Sequence, residues 1–373
     1  MSPTPRIHLV LAAATLAAAV TLPTAASASA QVDENAFAPS IKSFSCADGS
    51  VVNLVTPRAG FDALTATDAE LEANALPARP TGAKALAVWK RFIAMPDDPT
   101  PQCGVATDVA SPPVHIPAAH TSASVSPDSQ VGEYDYANWA GYVVDTASYT
   151  DAFGAWTVPS ANVDASSATY SSSWVGVGNG GSATSPLVQA GTESDNLQSS
   201  HGSYYLWWEV VQGNDPSTEV RINGTINPGD SIYVHAHLSY DDDWLVAYDE
   251  TNGVGKGTAY GLPTSTTGSI WPSNQAEWIE ERTELIPDSN SADDYYPPLA
   301  HVTTTFTGAT AYGTGSTAQA LPALPYETSD MVNCNLAGNN DLIAYPGAIN
   351  SAGGFTVYWR EYGDSSNAED CWS

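Results

Sequence analysis

Chemistry in this chain of 373 residues must come from few side chains, because only 14% of positions are charged and the four cysteines stand far apart. The common hydrolase signatures are missing. There is no Gly-x-Ser-x-Gly elbow, no His-Glu-x-x-His zinc helix, and no Asp-Thr/Ser-Gly of the pepsin type. His235 and His237 alternate along one apolar run and so share a strand face. Two such imidazoles more often hydrogen-bond than hold an ion, so no metal and no other cofactor is expected. What stands out is six segments rich in Trp, Gly, Gln and Glu. They are Asn138-Trp139-Ala140-Gly141, Trp174-Val175-Gly176-Val177-Gly178, Leu187-Val188-Gln189-Ala190-Gly191, Trp207-Trp208-Glu209, Pro228-Gly229-Asp230-Ser231-Ile232 and Ala276-Glu277-Trp278-Ile279-Glu280-Glu281. In an extended chain, alternation puts Glu277, Ile279 and Glu281 on one face and Trp278 and Glu280 on the other.

The elements that must hold these residues change character along the chain. Residues 131–373 are short runs of β-branched and aromatic residues, such as "SYYLWWEVVQG", "GDSIYVHAHLSYD" and "GFTVYWREYG", separated by Gly, Pro, Asn and Asp turns. That pattern predicts an all-β domain, a concanavalin- or jelly-roll-like sandwich of two antiparallel sheets. Residues 31–130 are expected to be a propeptide and linker. Up to about residue 95 they carry Ala, Leu, Glu and Lys in helix-forming proportion, and from 99 they are rich in Pro, Ser, Thr and Ala, a composition that invites proteolysis. Residues 1–30 have Arg6 and His8, an apolar run from Leu9 to Leu22, and Ala28-Ser29-Ala30, which is a secretory signal with its cut after Ala30. The apolar run is too short for a membrane helix. A secreted, extracellular protein without membrane attachment is expected.

Export permits disulfides. Of the three connectivities open to four cysteines, Cys46 with Cys103 and Cys334 with Cys371 are favoured, since no cysteine lies between Cys103 and Cys334. The balance of 11 Lys and Arg against 41 Asp and Glu, a net charge of −30, excludes nucleic acid as a partner. With 43% hydrophobic residues, 11 Trp and 18 Tyr, the chain has material for a packed core. Its carboxylates repel one another at neutral pH and relax on protonation, which hints at an acidic workplace.

In order and spacing the six segments resemble those of the glutamic peptidases, or eqolisins. In that family the strings read roughly NWxGA, WVGIDG, ILQTG, AWYEW, GDxI and AEW/FIxE, and the likeness here runs from about residue 136 to residue 285. The resemblance implies an acid-acting endopeptidase with Gln189 and Glu281 as its catalytic pair. In that reading Glu281 activates water as general base and returns the proton to the leaving amine, while Gln189 donates to the oxyanion, a contribution on the order of 3 kcal/mol. Trp139, Trp174, Trp207, Glu209 and Glu277 are expected to line the substrate groove. The resemblance also implies a precursor whose leader is removed on acidification, so the chain's own propeptide is the expected inhibitor and proteins or peptides the substrates of a monomeric enzyme. Lys84, Lys90 and Arg91, around Trp89, would latch the leader to carboxylates of a domain holding 4 basic and 30 acidic residues. Gly178 in place of the family's Asp, and Val210 in place of its aromatic, point to a distant branch, and the Ala-rich signal and scarcity of Lys point to a bacterial one.

Two rival classes fit the same composition. A jelly-roll glycoside hydrolase would use Glu209 and Glu281 as its two carboxylates, and their separation decides that reading. A non-catalytic carbohydrate-binding module would stack its Trp residues on sugars and would keep residues 31–130 in the secreted protein.

Overall fold

The computed structural model describes residues 39–46, 51–74, 76–77, 79, 83–96, 115–116, 130–161, 168–178, 187–196, 202–211, 219–238, 243–261, 274–283, 295–296, 298–313, 318–333, 342–363 and 366–367. The signal segment, most of the linker, Cys103, Cys334 and Cys371 lie outside them. Cys46 is disulfide-bonded. Among the described residues no helix is long and apolar enough to cross a membrane.

In chain order the elements begin with β1 (Ser40–Ser45), β2 (Val51–Thr56), α1 (Asp68–Ala73), α2 (Ala83–Ile93) and β3 (His115–Ile116). There follow β4 (Gln130–Tyr136), β5 (Trp139–Val144), β6 (Tyr149–Thr157), β7 (Ser172–Gly178), β8 (Leu187–Asn196), β9 (Gly202–Val211) and β10 (Val220–Ile222). The last group is β11 (Ser231–Leu238), β12 (Asp243–Asp249), β13 (Thr258–Gly261), β14 (Gln275–Glu281), β15 (Tyr295–Tyr296), β16 (Thr304–Gly313), β17 (Gln319–Ala320), β18 (Tyr326–Val332), β19 (Leu342–Pro346), β20 (Phe355–Trp359) and β21 (Ser366–Asn367).

Two layers result. The front sheet runs β3-β4-β18-β5-β14-β7-β8-β9-β10, and every pair in it is antiparallel except β18 with β4. The back sheet runs β1-β2-β13-β12-β11-β6-β16-β20, and β19 joins the layers by pairing with both β18 and β20. The main core lies between them: Tyr142, Val175, Ala190, Trp208 and Trp278 from the front meet Trp156, Ile232, Val234, Leu245, Ala247 and Phe306 from the back. Alternation then sends the neighbouring residues of each strand to the two outer faces. On the front that second set is Trp139, Val143, Trp174, Leu187, Tyr205, Trp207 and Ile279, which bury one another. Burial on both faces explains why these strands read as nearly continuous apolar runs.

The leader covers the outer face of the back sheet. Its β2 adds to the edge strand β13, with Leu54 opposite Thr258 and Val52 opposite Tyr260. A capping box starts α1, where Thr67 N–H donates to Glu70 Oε2 at 2.7 Å and Glu70 N–H donates to Thr67 Oγ1 at 3.2 Å. Leu71, Leu76, Trp89 and Phe92 then pack with Val246, Tyr248 and Ala259, and the Phe92 and Tyr248 rings stand 5.0 Å apart. The cation in this contact comes from the sandwich. Lys256, 4% exposed, donates from Nζ to the carbonyls of Ile93 at 2.9 Å and Met95 at 2.5 Å, where the unpaired carbonyls at the end of α2 need donors. Lys90 and Arg91 are exposed and form no ion pair among the described residues, while the Lys84 side chain lies outside them. The expected latch of leader cations therefore finds no support at Lys90 and Arg91. Apolar burial and Lys256 hold the leader instead.

Phe92→Ala is expected to lower the unfolding free energy by about 3–5 kcal/mol, and Lys90→Gln to change it by less than about 0.5 kcal/mol. Urea denaturation of the full chain checks both. Equal losses would mean that charge, not packing, seats α2.

Candidate active site

Directly opposite residues of antiparallel strands share a face. One rung across the front sheet reads Glu327 (β18), Val143 (β5), Glu277 (β14), Gly176 (β7), Gln189 (β8) and Glu209 (β9). The next rung on that face is Ile279, Trp174, Gly191, Trp207 and Arg221. The third is Trp139, Glu281, Ser172, Glu193 and Tyr205. All three lie on the outer side of the front sheet.

Two glycines clear the ground. A Cβ on Gly191 would lie 2.4 Å from the Ser173 carbonyl and 2.6 Å from Trp174 Cβ, and one on Gly176 would lie 2.8 Å from Leu187 Cδ1 and 3.1 Å from Trp174 Cζ3. The Trp174 indole fills the space they leave. Gly176 itself puts no side chain between Glu277 and Gln189, whose Cα atoms are two strand spacings, about 10 Å, apart. Two side chains reaching inward from that separation can flank a peptide group.

Gln189 is 1% exposed, and its Nε2 donates to Glu209 Oε2 at 3.0 Å. An ionised carboxylate only accepts, so it fixes which end of the amide it meets and leaves the second N–H of that nitrogen for another acceptor. Gln189 Oε1 has no hydrogen-bond partner among the described residues. Glu277 and Glu209 are both fully buried. Tyr136, half-buried and 6.3 Å from the Trp139 ring, has its phenol pushed up by burial and by the carboxylates of Glu327 and Glu277. Burial and Asp145 raise Glu327 itself.

The register sets Glu281, expected to pair with Gln189, on a different rung from it. Glu281 lies four residues beyond Glu277, so its Cα is roughly 16 Å from that of Gln189. Trp174 stands between the two rungs, and its Nε1 donates to Glu281 Oε2 at 2.6 Å. The glycosidase pair fails on the same ground: Glu209 and Glu281 are three strands and four residues apart, roughly 20 Å between Cα atoms, against carboxyl separations of about 5–9.5 Å in such enzymes. Trp139, Trp174 and Trp207 are 2%, 0% and 0% exposed, so they form the floor of the face and offer no platform for a sugar. Sequence reasoning missed Tyr136 and Glu327. Neither stands in a quoted string, and both reach this face through the pairing of β4 and β18, which are distant in sequence. Among the described residues no cluster with metal-ligand geometry includes any member of these rungs.

The carboxyl that follows Glu277 on the opposite face differs in kind. Glu280 accepts from Ser173 Oγ at 2.6 Å and is 2% exposed, and burial pushes its pKa up to about 7. Burial beside Glu133 and Asp135 does the same to Asp330, also to about 7.

The model of the Peptidase A4 family matches residues 137–345. The chain belongs to this family, the glutamic peptidases or eqolisins, and with it to the glutamic-type endopeptidases. Among solved structures it is similar to scytalido-glutamic peptidase with a transition state analog inhibitor, at 22% identity over 60% of this chain and 98% of that one, TM-score 0.48. It is also similar to SCP-B, a member of the eqolisin family in complex with the tripeptide Ala-Ile-His, at 21% identity, the same coverage and TM-score 0.46. Comparison with curated proteins gives no match.

Glu280 and Asp330 bind protons more tightly folded than unfolded. The stability they contribute is complete below about pH 4.5 for Glu280 and below about 3.8 for Asp330, and is lost as pH rises towards 7. His235 works the other way: burial lowers its pKa from 6.5, so its contribution is present above that value and fades in acid. Glu280→Gln is expected to raise the melting temperature at about pH 7 by several degrees and to leave it unchanged at about pH 4. An equal shift at both values would show that Glu280 is not a buried acid.

Proposed function

We propose that this glutamic peptidase is a secreted acid endopeptidase, in which Glu277 activates the attacking water and Gln189 stabilises the oxyanion. The observation that carries the reading is the rung Glu277–Gly176–Gln189, where the two groups face one another across a residue without a side chain. A substrate peptide bond lying over Gly176 presents its carbonyl carbon to a water on the Glu277 side. Ionised Glu277 takes a proton from that water as it attacks, and the developing oxyanion accepts the second N–H of Gln189 Nε2. Protonated Glu277 then gives its proton to the nitrogen of the tetrahedral intermediate, and the C–N bond breaks with a neutral amine leaving. Glu209 touches no reacting atom in this scheme. It positions the amide.

The chain is made as a precursor in this reading, and the inhibiting part is the linker rather than the helical leader. The described residues between 51 and 96 pack on the back sheet, on the opposite side of the sandwich from the rung. The strand β3 instead pairs with β4 on the front sheet, with His115 opposite Tyr136, whose phenol neighbours Glu277. Cleavage on either side of β3 would open that side of the site. Export through residues 1–30, protein substrates and a monomeric state complete the proposal.

Cleavage of an acid-unfolded protein by the acid-treated precursor tests it. Glu277→Gln is expected to lose about 10²–10⁴-fold in kcat and Gln189→Ala about 10²–10³-fold. Glu281→Gln should stay within about tenfold of the parent, since it removes only one partner of Trp174. Activity that survives Glu277→Gln and vanishes in a folded Glu281→Gln would return the base to Glu281.

A further inference from the structure

The two histidines of β11 meet a third group that the sequence keeps 84 residues away. His235 and His237 project from the outer face of the back sheet, and Asp151 of β6 stands directly opposite His237. Asp151 Oδ1 lies 2.8 Å from His235 Nε2 and 2.7 Å from His237 Nδ1, and all three atoms lie within 4.8 Å of one another. With no ion present, each imidazole must turn a protonated nitrogen towards Asp151, because a carboxylate oxygen only accepts. One oxygen thus already gathers two imidazoles.

We propose that Asp151, His235 and His237 bind a divalent zinc ion as two nitrogens and one oxygen, with water as the fourth ligand. The ion sits where the two facing N–H groups point, and each neutral imidazole carries its proton on the other ring nitrogen, Nδ1 of His235 and Nε2 of His237. Bonds of about 2.0–2.2 Å in a tetrahedral site set the ligand atoms about 3.3–3.5 Å apart, so each contact with Asp151 opens by somewhat over half an ångström, within the reach of side-chain torsions. The set suits zinc by donor type. The walls suit it by coordination number: the Phe153 ring lies 3.8 Å from the His235 ring, and Trp244 lies 4.5 Å and 5.0 Å from the rings of His235 and His237. His235 is 3% and Asp151 6% exposed, and of the three ligands the half-buried His237 is the most open to solvent. Enclosure of this kind favours four-coordinate zinc over an octahedral ion that keeps several open positions. Binding to neutral imidazoles that keep their protons adds two positive charges, which a chain of net charge −30 favours.

The site is structural. It ties β6 to β11 on the side of the sandwich opposite the Glu277–Gln189 rung, and the Trp244 that walls it packs against the leader's apolar cluster. It is independent of the proposed catalytic reading.

The full chain, expressed without a polyhistidine tag, is stripped with a chelator and dialysed against micromolar zinc chloride at about pH 7.5, where free imidazoles are largely neutral. One zinc per chain is expected by elemental analysis, with a higher melting temperature than the stripped protein. His237→Gln, at the solvent edge and checked for folding by circular dichroism, is expected to bind at least tenfold more weakly, and cobalt in place of zinc to give the intense visible bands of a four-coordinate ion. Failure to retain zinc overturns the proposal. So does equal retention by His237→Gln and Asp151→Asn, which would assign the metal to scattered surface acids, and so does a weak, six-coordinate cobalt spectrum.

Discussion

The site rests on the register of β14 against β7 and of β7 against β8. Because side chains alternate with a period of two, a slip by two residues would keep every side chain on its face and still change which glutamate meets Gln189. Facing is therefore not enough to specify the pair. Two short hydrogen bonds pin the alignment: Ser173 Oγ to Glu280 on the core side and Trp174 Nε1 to Glu281 on the outer side, both 2.6 Å. They join neighbouring residues of β7 to neighbouring residues of β14. Glu281 holds the indole that lies between its own rung and that of Gln189, which is the role the proposed reading gives it.

The rest of the architecture supplies what this alignment requires. A strand that must present Gln or Glu on one face and still be held rigidly has to be buried on both, and the front sheet achieves this with a dry core behind it and a Trp-rich floor in front. The back sheet faces the complementary problem, an outer face of Tyr233, Val246 and Tyr248 that would be left to water. The leader covers that face, and β2 closes the edge of β13 at the same time. Its described part is a layer of the folded molecule as much as an appendage to it. Lys256 is buried among leader carbonyls, so losing the leader would remove two of its acceptors as well as expose apolar surface.

Composition and turn-bounded apolar runs were enough to predict the two-sheet sandwich, because each strand declares its own period. Alternation also assigned Glu277 and Glu281 to one face and His235 and His237 to another. What could not be read was which strands pair and in what register. Gln189 and Glu277 are 88 residues apart, Asp151 and His235 84, and nothing local records either meeting. The same limit hid Tyr136 and Glu327, which join the face only through β4 and β18. Charge counting failed for a different reason. It placed the leader's cations against the acidic domain, but Lys90 and Arg91 sit on the solvated side of an amphipathic helix, and the contact is governed by the face that carries Trp89 and Phe92.

In this reading the order of residues along the rung also bounds the chemistry. Gln189 separates two carboxylates that must behave differently, Glu277 cycling through a proton and Glu209 staying ionised to hold the amide. If Glu209 were protonated it could donate to Gln189 Oε1 as readily as it accepts from Nε2, and the amide would lose its fixed orientation. Activity in acid is then limited from below by whichever of the two carboxylates is protonated first, and an amide between them is the one neutral side chain that can answer to both. The buried acids outside the site are under the opposite constraint. Glu280 and Asp330, with pKa values pushed up to about 7, are at ease only when neutral. In the proposed mechanism the acid that relaxes the framework therefore works against the ionised carboxylates that the rung requires.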